Sequence, residues 1–332
     1  MKNILITGGA GYVGSHCAIA LIKNKFNPII LDNFSNSNIQ VIKNLETITR
    51  KKIKYYKIDI RNKKKLMSIL NKHKLEGVIH CAGFKAVGES IKKPLKYSGN
   101  NIQCTLSLLE CMKEKKIFNL VFSSSAIVYD PDQTRAIKEN FKIGKTQNPY
   151  GTSKYIIEKI LIDLAKYDKK WSIGILRYFN PIGNHSSGLI GDNPIGIPQN
   201  LLPYIVRVFE KKLPYLRVFG KNYNTKDGTC IRDYVHIEDL AEGHIAMLKR
   251  NKMKKGSKIF NLGTGKGHTV LDVIKIFEKI FNTSINYKFT KRRLGDSAIT
   301  FCNPAKAYRE LNWKARYDIK NSITSIKKMI YK

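Results

Sequence analysis

The sequence predicts an α/β fold, a doubly wound parallel sheet with a smaller α/β lobe, on three observations. Short apolar runs alternate with helical stretches through the first half, the pattern of parallel strands joined by crossover helices. The first run, Lys2–Thr7, passes at once into Gly8-Gly-Ala-Gly-Tyr-Val-Gly14. The second, Asn27–Asp32, ends on an acid.

Taken in order, Lys2–Thr7 reads as a buried strand and Ser15–Ile22 as the helix after the glycine turn. Gly8 permits the tight turn, Gly11 lets the backbone approach a pyrophosphate, and Gly14 lets the helix pack close to the sheet. The helix would aim its free N–H groups at the phosphates. After Asn27–Asp32 come a strand over Lys54–Asp59, a helix over Lys64–Lys72 and a strand from Gly77 that ends in the turn at Gly83. A helix from about Tyr97 to Lys115 follows, then strands at Asn119–Ser123 and Trp171–Arg177. Beyond Asn180 the pattern loosens into a Gly-, Pro- and Asn-rich stretch through Gln199, then resumes in smaller units. These include Lys258–Gly263 and a helix from about Val270 to Phe281. The expected organisation is a Rossmann-type dinucleotide-binding domain over 1–180 and a mainly substrate-binding lobe over 181–332, with some segments returning to the first domain.

Asp32 can bind both hydroxyls of an adenosine ribose and would repel a 2′-phosphate, so the expected cofactor is NAD and not NADP. In Asn148-Pro-Tyr-Gly-Thr-Ser-Lys154, Tyr150 and Lys154 lie four residues apart, on one face of a helix that Pro149 suits as a start. A lysine cation beside a phenol favours the phenolate, which turns a weak base into a proton-transfer group. Ser125, at the C-terminal end of a central strand, can exchange hydrogen bonds with a substrate hydroxyl that the tyrosine deprotonates.

The formal net charge of +35 raises a nucleic-acid reading. The lysines stand in short, scattered groups and no nucleic-acid-binding motif accompanies them. Ile and Asn are also abundant, so nucleotide bias in the gene accounts for the excess, and no nucleic-acid partner is expected. The charge would still attract an anionic substrate. No apolar run reaches membrane-spanning length and the N-terminus enters a strand directly, so no membrane partner and a cytoplasmic location are expected. Six cysteines (Cys17, Cys81, Cys104, Cys111, Cys230, Cys302) show no metal-ligand or disulfide spacing, as expected of reduced thiols without a metal.

These blocks together resemble the extended short-chain dehydrogenase/reductase superfamily, and within it the UDP-glucose 4-epimerases. The likeness runs from Met1 to about Trp313. It includes Leu176-Arg-Tyr-Phe-Asn-Pro-Ile-Gly183, and its more specific parts are Gly83-Phe-Lys-Ala-Val-Gly-Glu-Ser90 and Asp227-Gly-Thr-Cys-Ile-Arg-Asp-Tyr-Val-His236. The resemblance implies an NAD site lined by Gly8, Gly11, Tyr12, Val13, Gly14, Asp32, Asn33, Phe34, Ser35, Asn36, Ser37, Asp59, Ile60, Cys81, Ala82, Gly83, Phe84, Lys85, Asn100, Ser125, Tyr150, Lys154 and Phe179. For a UDP-sugar it implies Lys85, Ser125, Tyr150, Asn180, Asn200 and Leu201, Phe219 beside the uracil, Arg232 and Arg293 on the diphosphate, and Asp296 on a ribose.

The implied reaction is epimerisation at carbon 4 of a UDP-hexose, UDP-glucose to and from UDP-galactose, by transient oxidation to a 4-keto sugar. Tyr150 would be the base, Lys154 would lower its pKa, and Ser125 would guide the proton. The family also implies a homodimer joined through the helix near Asn101–Lys115 and the helix after Pro149, with Ile156, Ile157, Ile160 and Leu161 as candidate contacts. The sequence departs from the family pattern at Cys81, at Asp130 and in Arg292–Thr300. In that last block a usual proline is missing, and Thr300 stands where some epimerases carry a pocket-narrowing tyrosine. Room for an N-acetylated hexose would follow. A sugar-nucleotide 4,6-dehydratase would need an Asp-Glu pair after the central serine, where Ala126 and Ile127 stand. A regulatory or scaffold protein of the same fold would typically lack Tyr150 or Lys154.

Overall fold

A computed structural model describes residues 1–131, 135–194, 196–293 and 296–331. Seven strands form the main sheet: β1 (Lys2–Thr7), β2 (Phe26–Asp32), β3 (Lys54–Lys57), β4 (Leu75–His80), β5 (Asn119–Ser125), β6 (Ser172–Tyr178) and a later strand, Gly256–Leu262. Every pairing among them is parallel, in the order Gly256–Leu262, β6, β5, β4, β1, β2, β3. The chain winds outward from β1 in one direction and then from β4 in the other, leaving a crevice at that switch point.

Crossover helices cover both faces. One face holds α1 (Tyr12–Lys23) and α2 (Gln40–Thr49). The other holds α3 (Lys63–Asn71), the short α4 (Val87–Lys92), α5 (Pro94–Glu114) and α6 (Pro149–Tyr167). Strands buried on two faces are continuously apolar, as β1 (Ile4, Leu5, Ile6) and β6 (Ile173, Ile175, Leu176) are. β3 stops at Lys57, two residues short of the predicted end. Asp59 lies beyond it, held by the guanidinium of Arg61, with Nη2–Oδ2 at 2.6 Å.

The smaller lobe is built from β7 (Asn180–Ile182), α7 (Leu201–Phe209), β8 (Leu216–Phe219) and β9 (Ile231–His236). After β9 the chain returns to the main sheet through α8 (Ile237–Met253) and the strand Gly256–Leu262, which is β10. It then adds β11 (Gly267–Thr269), α9 (Val270–Phe281), β12 (Tyr287–Thr290) and β13 (Ile299–Thr300). β9 is the central strand of this lobe's sheet, pairing with β7, β11 and β13. The lobe has its own apolar core, with Ile205, Val218, Ile274 and Phe277 buried.

Candidate active site

The glycine turn has the geometry a dinucleotide requires. Gly8 takes φ +67°, and a Cβ there would stand 2.7 Å from the backbone nitrogen of Ala82. A Cβ on Gly14 would stand 2.2 Å from the carbonyl oxygen of Gly8, so α1 lies against the turn at a distance only glycine allows. Gly11 is the N-cap of α1 and offers no side-chain acceptor. The first helical N–H groups are therefore free to meet an anion. Asp32 closes the end of β2, its Oδ2 accepting from the Ala10 nitrogen at 3.0 Å and its Oδ1 from the Phe34 nitrogen at 2.8 Å and the Ser37 hydroxyl at 2.9 Å. These contacts fix the carboxylate beside the turn. The cradle thus fits NAD, whose adenosine half would meet Asp32 to Ser37, Asp59 and Ile60.

A cavity of about 620 Å³ lies between the C-terminal ends of the main strands and the smaller lobe. Its main-sheet wall carries Tyr12, Val13, Cys81, Gly83, Phe84, Lys85, Ser125, Tyr150, Lys154 and Phe179. Its lobe wall carries Asn180, Asn200, Leu201, Phe219, Arg232, Arg293 and Asp296. Seventeen of the residues predicted for the two sites therefore face one space. The remaining predicted residues, Gly8, Gly11, Gly14, Asp32 to Ser37, Asp59, Ile60, Ala82 and Asn100, lie outside that cavity.

Local structure explains how the catalytic candidates meet. Asn148 caps α6 through its Oδ1, 2.9 Å from the Gly151 nitrogen, so Pro149 and Tyr150 form the first turn. Lys154 follows one turn later and is buried; its Nζ donates to the Ser123 carbonyl at 2.7 Å and lies 4.7 Å from the Phe122 ring centroid. Burial pulls its pKa from 10.5 down to about 8, against the opposite pull of Cys81 and Glu158. The Tyr150 phenol is pushed up by burial, and a hydrogen bond with the Ser125 hydroxyl draws it back. Ser125, last residue of β5, also caps the turn Ala126–Val128, accepting from the Ile127 nitrogen at 3.3 Å. In the protein alone, then, Ser125 favours the phenolate, while the Lys154 ammonium is spent on the Ser123 carbonyl.

Across the cavity, Asp296 stands between two guanidiniums. Its Oδ1 is 3.6 Å from Arg232 Nη2 and its Oδ2 is 2.9 Å from Arg293 Nε. Arg293 also lies over Phe219, 4.7 Å from the ring centroid. An aromatic face with two adjacent planar cations suits a base joined to a diphosphate. Of the block Arg292–Thr300, Leu294 and Gly295 lie outside the described residues. Thr300 pairs in register with Arg232, and its hydroxyl is 2.7 Å from that of Ser297; both threonine and serine line the cavity.

Some supporting residues carry no short motif. Asp192 bridges the cleft, 3.6 Å from Lys85 Nζ and accepting from Asn200 Nδ2 at 2.9 Å. Asn101 holds Phe84 at both its nitrogen (2.8 Å) and its carbonyl (3.1 Å), and donates to Ser153 Oγ at 3.0 Å. It ties the loop after β4 to the second turn of α6, next to Lys154.

A family model for the NAD dependent epimerase/dehydratase family matches residues 4–263. The chain belongs to that family. It is 49% identical over 312 residues to the UDP-glucose 4-epimerase of Pasteurella multocida (strain Pm70), covering 94% of this chain and 92% of that one. Its fold is similar to that of the UDP-glucose 4-epimerase from Bifidobacterium longum solved with NAD+ and UDP, with TM-score 0.96, 42% identity and coverage of 99% and 98%. The UDP-Glc/GlcNAc 4-epimerase of Campylobacter jejuni is similar at TM-score 0.86 and 30% identity, covering 100% of this chain and 99% of that one.

Proposed function

We propose that this family member interconverts UDP-glucose and UDP-galactose by NAD-dependent epimerisation at carbon 4. The observation that carries the reading is one cavity with Ser125, Tyr150 and Lys154 on one wall and Phe219, Arg232 and Arg293 on the other. Bound NAD supplies a hydride acceptor that can give the hydride back. The glycine turn and the N-terminus of α1 hold its pyrophosphate, Asp32 its adenosine ribose, and Lys154 the ribose at the reacting end. Tyr150, as phenolate, takes the proton from the sugar 4-hydroxyl through Ser125 and later returns it. Arg232 and Arg293 grip the diphosphate bidentately while Phe219 stacks on the uracil. Anchored at that distance, the 4-keto sugar can turn about its bond to the diphosphate and present its other face.

Purified protein incubated with UDP-galactose and no added cofactor is expected to yield UDP-glucose, with NAD recovered from the denatured protein. Failure to convert either sugar with NAD present would overturn the reading.

A second substrate class has a specific observation behind it. Thr300, small and on the cavity wall, leaves space at the lobe side that a tyrosine would occupy, so UDP-N-acetylglucosamine is included among the substrates we propose.

We also propose a homodimer joined through α5 and α6. Leu95, Leu106 and Ile156 are exposed on these helices, while Ile102 and Ile160 are half-buried. Ile157 and Leu161 point into the main core and cannot serve the contact. Among the described residues no helix is long and apolar enough to cross a membrane. All six cysteines are free, which supports a reducing, cytoplasmic setting.

A further inference from the structure

We propose that Cys17, Cys81 and His244 form a binding site for a thiophilic divalent cation of the zinc class, beneath the Lys154 end of the cavity. The three residues come from α1, the turn after β4, and α8. Their Sγ, Sγ and imidazole nitrogen atoms all lie within 4.8 Å of one another. Among the described residues no other trio of His, Cys, Asp and Glu converges in this way.

The imidazole is already set in the form a metal needs. His244 Nδ1 is 2.8 Å from the carbonyl oxygen of Leu240, which can only accept, so Nδ1 carries the hydrogen and Nε2 presents its lone pair to the cluster. A backbone carbonyl on the far nitrogen is the arrangement that orients histidine ligands in metal sites. Two thiolates and a neutral imidazole balance a divalent charge, which lets the ion sit in a buried place without net charge. Two sulfurs and one nitrogen favour a soft or borderline ion over magnesium or calcium.

The rearrangement is local. The hydroxyl of Tyr178 now donates to His244 Nε2. Ser123 Oγ lies 3.1 Å from Cys81 Sγ and 3.3 Å from His244 Nε2. Binding releases the two thiol protons to solvent and forms two metal–sulfur bonds and one metal–nitrogen bond. Cys81 and Ser123 both line the cavity, so the fourth position is filled by the Ser123 oxygen or by water entering from it. Because the Ser123 carbonyl also holds Lys154, an ion that draws Ser123 away loosens the lysine and slows turnover.

The test uses the full chain with its NAD, titrated with cadmium and with zinc chloride. Stoichiometric cadmium should produce thiolate-to-metal ultraviolet absorption and inhibition that a chelator reverses. X-ray absorption on the zinc-loaded protein should show two sulfur neighbours at about 2.3 Å and nitrogen at about 2.0–2.1 Å. Cys17→Ser, outside the substrate and cofactor sites, should keep its basal turnover and bind cadmium more weakly by more than the roughly 10–100-fold that loss of an outer-shell partner costs. Equal cadmium affinity in Cys17→Ser overturns the proposal, as does a zinc shell of nitrogen and oxygen alone in the unaltered protein. The second result stands even where the variant fails to fold.

Discussion

Arg177 clasps Glu158 with both ends of its guanidinium, Nη2 at 2.6 Å and Nε at 3.1 and 3.2 Å from the carboxylate oxygens, and neither side chain is exposed. Glu158 sits on α6 one turn beyond Lys154 and also accepts from the Ser124 hydroxyl. Arg177, on β6, lies over the Tyr129 ring, whose hydroxyl reaches Asn261 on β10 at 2.6 Å. Glu158 therefore ties the helix that carries Tyr150 and Lys154 to β6 through the ion pair and to β5, the strand that ends in Ser125, through Ser124.

Removing one member of such a pair leaves a buried charge uncompensated, at about 3–5 kcal/mol. Glu158→Ala is expected to lower the unfolding free energy by that amount in a urea titration and to depress turnover in the molecules that remain folded. A loss below about 1 kcal/mol would show that the pair does not hold α6.

Lys154 is held against its own ionisation. Its folded-state pKa, about 8, lies below the unfolded value of 10.5, so between those limits the unfolded chain binds more protons and stability rises with pH. At neutral pH the burden is on the order of 3 kcal/mol. Lys154→Met should flatten the rise in stability between about pH 8 and pH 10.5 while abolishing turnover. An unchanged stability profile would contradict this account of the buried ammonium.

Tyr150→Phe removes only the ionisable oxygen. Turnover is expected to fall by about 10²–10⁴-fold, the usual contribution of a positioned acid or base, while NAD stays bound. With the unaltered protein, kcat/KM should rise with pH as the phenol, pushed up by burial, loses its proton. Near-normal turnover in the variant would sink the assignment of the base.

Gly8→Ala combines a left-handed backbone, unfavourable to alanine by roughly 1–2 kcal/mol, with a Cβ 2.7 Å from the Ala82 nitrogen. The strand turn must shift, and NAD recovered after gel filtration should drop sharply. Full NAD content would mean that the cradle tolerates a side chain.

The nucleotide half was legible in the sequence because its determinants are local. Gly8, Gly11, Gly14 and Asp32 fall within one strand–helix–strand unit, where spacing alone fixes geometry. Tyr150 and Lys154 were legible for the same reason, as was the start of α6 at Pro149. What could not be read depends on partners far along the chain. Glu158 looked like any polar helix residue until Arg177 closed over it, and Asp192 sat in a Gly- and Pro-rich stretch whose pairing with Lys85 and Asn200 has no periodic signal. Cys17 and Cys81 are too far apart in sequence for a motif, yet β1 and β4 are neighbours in the sheet. Apolar spacing on α6 marked Ile156, Ile157, Ile160 and Leu161 alike, and only packing divides the core pair from the outer one. The run around Lys258 read as a strand without revealing which sheet it would join.

Thr300 offers a test in which two substrates serve as controls for each other. It pairs with Arg232 and lines the cavity, with its hydroxyl turned to Ser297. A tyrosine at 300 would place a ring on the lobe wall of the cavity. The diphosphate grip is unchanged for both sugars, so the effect falls on the sugar that needs more room. Thr300→Tyr is expected to lower kcat/KM for UDP-N-acetylglucosamine by at least roughly 10-fold relative to UDP-glucose, the scale on which a cavity rejects a bulkier ligand. Parallel losses for both sugars would place the acetyl group elsewhere, and absence of turnover of the acetylated sugar by the unaltered protein would remove it from the substrates.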